Sequence, residues 1–213
     1  MKRVLIFTGG RLDEWAIPLL RSDDYIIGAD YGAAFLVKHN IHMHIAVGDF
    51  DSVTDDELSA IRSNSDRLVQ FDATMKDYSD TELAFRLAAE QSPDEILLFG
   101  AIGTRFDHSL ANVHLLMNGL HLGITCRIID EYNEIQLTQS ELHISNPEHR
   151  YTYVSLLPVS MEVHGVTLVG FQYPLNDATL TIGQSLAVSN KLTAATGIIR
   201  IRSGYLLVIQ SKD

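Results

Sequence analysis

Apolar and polar positions follow two different rhythms along this chain, and the change falls near residue 131. Before it, each short apolar run is followed by a stretch with apolar residues three or four positions apart, the spacing of a helix. The apolar runs lie at residues 4–7, 25–27, 45–47, 67–71, 95–99 and 124–129. Repeated strand–helix units without hairpin signals predict an α/β fold with a mainly parallel sheet and right-handed crossovers.

Two of the predicted helices begin with a Ser/Thr-x-x-Glu capping box, at Thr54–Glu57 and at Ser79–Glu82. Apolar spacing also predicts a helix across Leu12–Leu19. The last helix of this half is predicted to turn three apolar residues toward the core, namely Leu110, Val113 and Met117.

From residue 133 onward, nine short alternating runs separated by turn residues replace the helical pattern. They include Glu162–Val166, Leu168–Tyr173 and Ser185–Val188, each expected to be a separate strand. This spacing predicts an all-β domain, either a sandwich or a barrel. Because no low-complexity linker divides the halves, we expect two adjoining domains, 1–132 and 133–213.

Composition narrows the function classes. The chain has 213 residues, of which 46% are apolar and 20% charged, as in an ordered globular protein. Its net charge of -11 argues against binding to nucleic acid or to an anionic membrane. Cys126 is the only cysteine, so an intramolecular disulfide and a cysteine-based zinc site are excluded. Without a membrane-length apolar run or a signal-peptide core, a cytoplasmic location is expected.

Charged residues cluster where the predicted parallel strands end. Asp30 follows the second strand, and Asp49 and Asp51 follow the third. The later exits carry Lys76, Asp77 and Asp80, then Arg105 and Asp107. All carboxyl ends of a parallel sheet lie on one edge, where such sheets bind ligands. Several carboxylates there predict a magnesium-type, oxygen-only site, and the two cations predict a phosphorylated ligand. This combination suits phosphoryl transfer.

Phosphate-binding motifs of the common kinds are absent from the sequence. It contains neither Gly-x-x-x-x-Gly-Lys-Ser/Thr nor Gly-x-Gly-x-x-Gly. The predicted site is therefore neither a P-loop nor an ordinary dinucleotide fingerprint.

Several segments together resemble one known family. They are Gly48–Ser52, Lys76–Asp80, Gly103–His108 with Asn112, Asp30 within Gly28–Gly32, and Ser189–Asn190 followed by Gly197. In this order and at this spacing they look like the signature loops of the thiamine pyrophosphokinases, and the match spans nearly the whole chain. One departure is Lys191-Leu192, where bacterial members often have an acidic and an aromatic residue.

The resemblance implies an enzyme that transfers the pyrophosphoryl group of ATP to the hydroxyl of thiamine, giving thiamine diphosphate and AMP. It implies a Rossmann-like α/β nucleotide-binding domain followed by a β-sandwich that binds thiamine and forms a homodimer. Thiamine would lie between the α/β domain of one subunit and the β domain of the other.

Site residues follow from the resemblance by position. Mg²⁺ and the triphosphate would be held by four catalytic carboxylates, Asp49, Asp51, Asp77 and Asp80. The nucleotide would be bound by Asp30, Lys76, Arg105, Asp107, His108 and Asn112, and thiamine by Ser189 and Asn190. Asp77 or Asp80 is the candidate general base, and metal-assisted alignment without a discrete base is the alternative.

Two other functions fit parts of the sequence. Asp49-Phe50-Asp51-Ser52-Val53 resembles the nucleophile motif of haloacid-dehalogenase-type phosphatases, in which Asp49 would be phosphorylated. Gly48 interrupts the strand there, and no paired Asp-Asp follows a later strand, which count against it. The other alternative is a non-catalytic dimer that senses nucleotide or thiamine.

Overall fold

The computed structural model describes residues 1–51, 53–71, 78–146 and 150–213. The chain divides into two compact units, Met1–Glu131 and Tyr132–Asp213. No helix in the described ranges is long and apolar enough to cross a membrane.

The first unit is built from parallel strands and helices. Its strands are β1 (Arg3–Phe7), β2 (Tyr25–Ala29), β3 (Met43–Gly48), β4 (Ser65–Gln70), β5 (Glu95–Phe99) and β6 (Thr125–Ile129). Its helices are α1 (Tyr31–Lys38), α2 (Asp55–Ser63), α3 (Asp80–Glu90) and α4 (Phe106–Leu122), with a 3-10 helix at Glu14–Leu19. The predicted parallel sheet with helices is confirmed.

Strand order explains where a ligand can enter this unit. The strands lie in the order β4-β3-β2-β1-β5-β6, and every neighbouring pair is parallel. The chain therefore runs outward from β1 to β4 and then returns to the other side of β1. This reversal between β1 and β5 is a topological switch point, where open α/β sheets form a crevice.

The middle of the sheet is buried. All residues of β1 and β5 are buried, and Phe7 stacks on Phe99 with ring centroids 4.9 Å apart. Such close aromatic contact fixes the two strands that border the switch point.

Local capping signals account for the starts of α2 and α3. The Thr54–Glu57 capping box is present in full, and Ser79 caps α3 by accepting a hydrogen bond from the Glu82 backbone N–H. The helix expected across Leu12–Leu19 is instead a 3-10 helix from Glu14 to Leu19 that contains Pro18. Proline has no N–H to donate and restricts regular α-helix there.

The prediction for the inward face of α4 was wrong for Leu110, which is 41% exposed, whereas Val113 and Met117 are partly buried. The buried positions are Ser109, Asn112, Leu115, Leu116 and Gly119. Ser109 and Asn112 hydrogen-bond the loop before the helix. A Cβ added to Gly119 would lie 2.2 Å from the Cys126 sulfur, so the helix is held close to β6. Burial raises the pKa of the Cys126 thiol to about 12, which keeps it protonated.

In the second unit, the regular elements among the described residues are strands, and these strands pair antiparallel. They are β7 (Asn133–Thr138), β8 (Leu142–Ser145), β9 (Tyr153–Pro158), β10 (Glu162–Val169), β11 (Ala178–Thr181), β12 (Thr196–Arg200) and β13 (Leu206–Ser211). β13 lies between β7 and β9, and the other four strands follow the order β11-β10-β12-β8. The all-β character predicted for this half is confirmed.

Two strand predictions in this unit were wrong. Glu162–Val166 and the start of the next run form one strand, β10, because Gly165 adopts a positive φ of 72° and lets the strand continue through an irregularity. Ser185–Val188 is not a strand, since the Val188 backbone N–H donates to the Ser185 carbonyl and closes a turn.

Buried acids at the amino edge of the parallel sheet are paired with arginines. The Arg3 guanidinium donates two hydrogen bonds to Asp24, both 2.8 Å long, and these side chains are only 7% and 1% exposed. Arg127 is likewise paired with buried Glu95. Removing one partner of such a pair leaves the other charge buried without compensation.

We therefore expect Asp24→Ala to lower the free energy of unfolding by roughly 3–5 kcal/mol, because the Arg3 charge stays buried. Asp23→Ala is the matched control, since Asp23 is exposed beside it. Urea unfolding of both variants measures the difference. Equal losses of stability would show that the Arg3–Asp24 pair does not carry this effect.

Candidate functional site

A cleft of about 400 Å³ lies at the switch point, beside the ends of β1 and β5. Its wall is formed by two glycine-containing loops, which follow β1 and β5, and by the starts of α1, α3 and α4. The lining residues are Thr8, Gly9, Gly10, Arg11, Asp30, Ser79, Asp80, Thr81, Gly100, Ala101, Gly103, Thr104, Arg105, His108 and Asn112. A lining of small residues, together with acidic and basic side chains, suits a charged ligand.

The two glycine-containing loops are joined by backbone hydrogen bonds. Gly10 N–H donates to the Gly100 carbonyl at 2.7 Å, and Arg11 N–H donates to the Ile102 carbonyl at 2.9 Å. A Cβ on Gly10 would lie 2.2 Å from the Gly100 oxygen, so glycine is required for this approach. These contacts fix the two loops against each other at the floor of the cleft.

Helix α4 holds the glycine-containing loop that precedes it, residues 100–105, through side-chain hydrogen bonds. The Ser109 hydroxyl accepts a hydrogen bond from Gly103 N–H at 3.1 Å and donates one to the Arg105 carbonyl at 3.0 Å. The Asn112 amide donates to the Ala101 carbonyl at 2.8 Å. Asn112, predicted as a nucleotide contact, thus also supports the loop that lines the cleft.

Asp30 is the most unusual acid of the site. Its backbone has a φ of 48°, a strained value for a non-glycine residue, and its side chain does not cap α1. The carboxylate oxygen Oδ1 is buried and has no hydrogen-bond partner among the described residues. Strain and an unsatisfied buried oxygen both cost stability, which indicates a functional position.

Neighbouring charges act strongly on this carboxyl group. Burial and the negative charge of Asp80 raise the pKa of Asp30 above its usual range, and Asp49 and Asp51 add smaller contributions. A hydrogen bond from the Tyr31 backbone N–H opposes them but does not cancel them. Four carboxylates therefore influence one another here, and a bound cation would relieve their repulsion.

The start of α3 brings Asp80 to the cleft and is anchored to β1. The Thr81 hydroxyl lies 2.8 Å from the Thr8 hydroxyl in a buried hydrogen bond. The first turn of a helix has free backbone N–H groups and the positive end of the dipole, which favour anions. Asp80 therefore sits where either a phosphate or a metal-bound phosphate is stabilised.

Asp49 and Asp51 lie in the β3 exit loop but not in the lining of the cleft. Phe50 between them has a positive φ of 54° and is buried in the core, which fixes both acids at the sheet edge. Asp49 Oδ1 accepts a hydrogen bond from Asp51 N–H at 3.4 Å. Ser52, Lys76 and Asp77 lie outside the described residues.

The basic residues of the cleft differ in their partners. Arg105 forms an exposed ion pair with Asp107 at 2.6 Å, and this hydrogen bond raises the pKa of Arg105 and lowers the pKa of Asp107. Arg11 lines the cleft from the other glycine loop, and no described carboxylate lies within ion-pair distance of it. An anionic ligand therefore meets no competing described carboxylate at Arg11, whereas at Arg105 it competes with Asp107.

A magnesium ion fits the chemistry of these residues. Within the described ranges, no group of three or more His, Cys, Asp or Glu side chains is gathered closely enough to form a metal site by itself. The donor type nevertheless agrees, because Mg²⁺ prefers carboxylate oxygens together with substrate phosphates and water. The buried oxygen of Asp30, which has no partner in the part of the chain that the structure describes, supports a cation at this edge.

The predicted thiamine residues lie in the second unit and have different environments. Ser189 is exposed, with a φ of 59°, and its N–H donates to the Ser155 hydroxyl at 3.0 Å. Asn190 is only 3% exposed. Its amide donates to the Tyr173 carbonyl at 2.8 Å and accepts from the Tyr173 N–H at 3.0 Å.

Of the predicted residues, the cleft brings together Asp30, Asp80, Arg105, His108 and Asn112. Sequence reasoning missed Thr8, Arg11, Thr81 and Ser109. Arg11 could have been found, because it follows the Gly9-Gly10 exit directly. The Thr8–Thr81 contact joins residues far apart in sequence, so no local pattern signals it.

An α/β unit with a charged, glycine-lined cleft at its switch point is typical of enzymes that bind phosphorylated ligands. The family profile described as "Thiamin pyrophosphokinase, catalytic domain" matches residues 17–128, and "Thiamin pyrophosphokinase, vitamin B1 binding domain" matches residues 139–206. A thiamine pyrophosphokinase of Bacillus subtilis (strain 168) is 38% identical over 218 residues, covering 100% of both chains. This chain belongs to the thiamine pyrophosphokinase family.

Solved structures agree with this assignment. The crystal structure of thiamine pyrophosphokinase from Bacillus subtilis has a TM-score of 0.92 at 35% identity and covers 100% of both chains. That of thiamin pyrophosphokinase from Geobacillus thermodenitrificans has a TM-score of 0.88 at 30% identity, covering 99% of this chain and 98% of that one. The predicted family and enzyme class are confirmed, and the phosphatase alternative loses its support.

Asp30 yields a pH-dependent prediction. Because its pKa is raised in the folded protein, its charge destabilises the ligand-free fold at neutral pH. Asp30→Asn should therefore raise the melting temperature at pH 7 in EDTA. The gain in melting temperature should shrink as the pH falls toward about 3.9, the ordinary pKa of an aspartate carboxyl group. Below that pH, the Asp30 carboxyl group is protonated in both the folded and the unfolded protein.

Thermal unfolding across this pH range tests the prediction, with Asp23→Asn as the exposed control. A melting temperature that Asp30→Asn lowers at every pH would contradict the assignment of an uncompensated charge to Asp30.

Proposed function

We propose that this chain transfers the pyrophosphoryl group of ATP to the hydroxyl group of thiamine, giving thiamine diphosphate and AMP in a Mg²⁺-dependent reaction. The observation that carries the proposal is the Asp30 carboxyl group in a glycine-lined cleft at the switch point, whose buried Oδ1 has no hydrogen-bond partner among the described residues. Family membership supplies the substrates.

The two halves of the chain have different proposed roles. Residues 1–132 form a Rossmann-like, nucleotide-binding catalytic domain, and residues 133–213 form a β-sandwich that binds thiamine and dimerises. The parallel strand order with its switch point supports the first assignment. The antiparallel strands and the match of residues 139–206 to a vitamin B1 binding domain support the second.

The polyphosphate of ATP binds at the carboxyl edge of the parallel sheet. Asp49, Asp51, Asp77 and Asp80 hold Mg²⁺ and the triphosphate, with Asp30 completing the acidic set. Lys76, Arg105 and Arg11 contact phosphate oxygens, and the other nucleotide-side residues are Asp107, His108 and Asn112. Arg11 is added because it lines the cleft without a carboxylate partner among the described residues.

In the reaction, the hydroxyl oxygen of thiamine forms a bond to the β-phosphorus of ATP. The bond between the β-phosphorus and the oxygen that bridges it to the α-phosphorus breaks at the same time. AMP leaves with the electron pair, and the hydroxyl proton passes to a carboxylate or to solvent. Bound Mg²⁺ would neutralise charge on the phosphates. Asp80 lies in the cleft wall and is a candidate base, as is Asp77. The alternative is metal-assisted alignment of the substrates without a discrete base.

Thiamine is bound on the Ser189–Asn190 side of the second unit, and the active protein is a homodimer. Ser189 is exposed and can offer its hydroxyl to a ligand. Neither nucleic acid nor membrane is proposed as a partner, given the net charge of -11. A cytoplasmic location is proposed on the sequence argument.

A product assay tests the proposed function. The protein is incubated with ATP, Mg²⁺ and thiamine, and the products are separated and quantified. We expect thiamine diphosphate and AMP in equal amounts. Phosphate released independently of thiamine would indicate a phosphatase, and binding of both substrates without turnover would indicate the sensing dimer.

Substitutions at the β3 exit test the acidic residues. Asp49→Asn and Asp51→Asn should each lower kcat at least about 100-fold, because the charge that holds the cation is lost. Asp56→Asn, in the exposed first turn of α2, is the matched control and should retain activity. Circular dichroism confirms the fold of each variant. Near-normal kcat in both test variants would remove these acids from the site.

A further inference from the structure

Three backbone N–H groups of the two glycine-containing loops donate to the protein itself. Those of Gly10 and Arg11 donate to carbonyl groups of the opposite loop, at 2.7 and 2.9 Å. That of Gly103 donates to the Ser109 hydroxyl at 3.1 Å. In a P-loop, groups of this kind bind the phosphates directly. Because these three groups are already engaged, a phosphorylated ligand in this cleft depends more on donors from side chains.

A pair of buried threonines belongs to the lining of the cleft. Thr8 follows β1 directly, Thr81 lies in the first turn of α3, and each is 7% exposed. Their hydroxyl oxygens are 2.8 Å apart, and either hydroxyl group can be the donor. Within the described ranges of the chain, this is the one hydrogen bond that either hydroxyl group makes.

The protons of this hydroxyl pair exceed what its hydrogen bond uses. Each threonine hydroxyl group has one proton to donate and two lone pairs. The mutual hydrogen bond uses one of the two protons, so one proton remains. The group that accepts within the pair is polarised, which makes its own proton a stronger donor. A buried donor without an acceptor costs stability, and an oxygen atom of a ligand in the cleft would satisfy it.

The position of the pair suits a phosphate group. Thr81 lies at the start of an 11-residue helix, where the dipole favours anions. Thr8 lies at the end of a strand that borders the switch point. A hydroxyl group is neutral, so it can donate to a phosphate oxygen without adding a charge that the nearby Asp30 and Asp80 would attract.

We infer that the Thr8–Thr81 pair is a binding element for the polyphosphate of ATP, and that it donates its unused hydroxyl proton to a phosphate oxygen. The ligand group that it recognises is an anionic phosphate, not the nucleoside. This inference rests on the proposed function, since it adds a determinant of ATP binding to the same cleft.

Titration calorimetry of ATP in the presence of Mg²⁺ tests the pair. The variant Thr8→Val/Thr81→Val removes both hydroxyl groups but keeps their shape, and such a replacement costs little stability. It should bind ATP about tenfold more weakly, because a hydrogen bond to a charged oxygen is lost. Thr8→Ser/Thr81→Ser keeps both hydroxyl groups and should bind ATP as the wild type does. Thr138→Val, which removes another buried threonine hydroxyl, is the control and should leave the Kd for ATP unchanged.

The two single variants separate donation to the ligand from simple anchoring of α3. Thr8→Val and Thr81→Val both break the mutual hydrogen bond. If the pair only anchors the helix, each single variant should lose as much ATP affinity as the double variant. If the pair donates to phosphate, at least one single variant keeps the donor and most of the affinity. Equal losses in the double variant and in both single variants would overturn the inference. If the double variant does not fold, unequal losses in the single variants support donation and equal losses overturn it.

The outcomes distinguish this inference from the proposed function. A wild-type protein that makes thiamine diphosphate, with normal ATP binding by Thr8→Val/Thr81→Val, would overturn only the role of the pair. A wild-type protein that binds ATP through the pair but forms no thiamine diphosphate would overturn only the proposed function. A wild-type protein that does not bind ATP would overturn both.

Discussion

The main physical constraint on the first unit is buried negative charge, which lies at both edges of its parallel sheet. At the amino edge, Asp24 and Glu95 are neutralised by Arg3 and Arg127. At the carboxyl edge, a buried oxygen of Asp30 has no partner among the described residues, and the charge of Asp80 acts on it. The stability gained from the paired acids at one edge can offset the cost of the buried Asp30 oxygen at the other, and a bound cation would reduce that cost.

Several contacts join the loops and the helix start around Asp30. Gly10 and Gly100 approach too closely for a side chain, and the Thr8–Thr81 hydrogen bond anchors the start of α3 to β1. Ser109 holds the second glycine loop through two hydrogen bonds. These contacts fix the loops around Asp30, so its backbone is held at a positive φ by its surroundings. Strain of this kind is typical of functional sites, where stability and function oppose each other.

Much of this organisation could be predicted from the sequence, because it depends on local patterns. Strand–helix alternation predicted the parallel sheet, and Thr54–Glu57 predicted the start of α2. Contacts between distant segments could not be predicted in this way. The face that α4 buries is set by Ser109, Asn112 and Gly119 meeting a loop and a strand, and the apolar spacing alone pointed to Leu110.

The candidate site shows the same division. Strand exits predicted that Asp30 and Asp80 would meet at one edge, and both line the cleft. The position of a residue in a motif did not reveal the direction of its side chain. Asn190 matches the family motif, yet its amide binds the backbone of Tyr173, which lies 17 positions away in sequence.

The central claim is that the acidic edge binds the polyphosphate of ATP only together with a cation. Titration calorimetry of ATP into the wild-type protein, in Mg²⁺ and in EDTA, tests it most directly. The account predicts that the Kd for ATP is at least about tenfold weaker in EDTA, because the carboxylates then repel the phosphates. Equal affinity in the two buffers would contradict it.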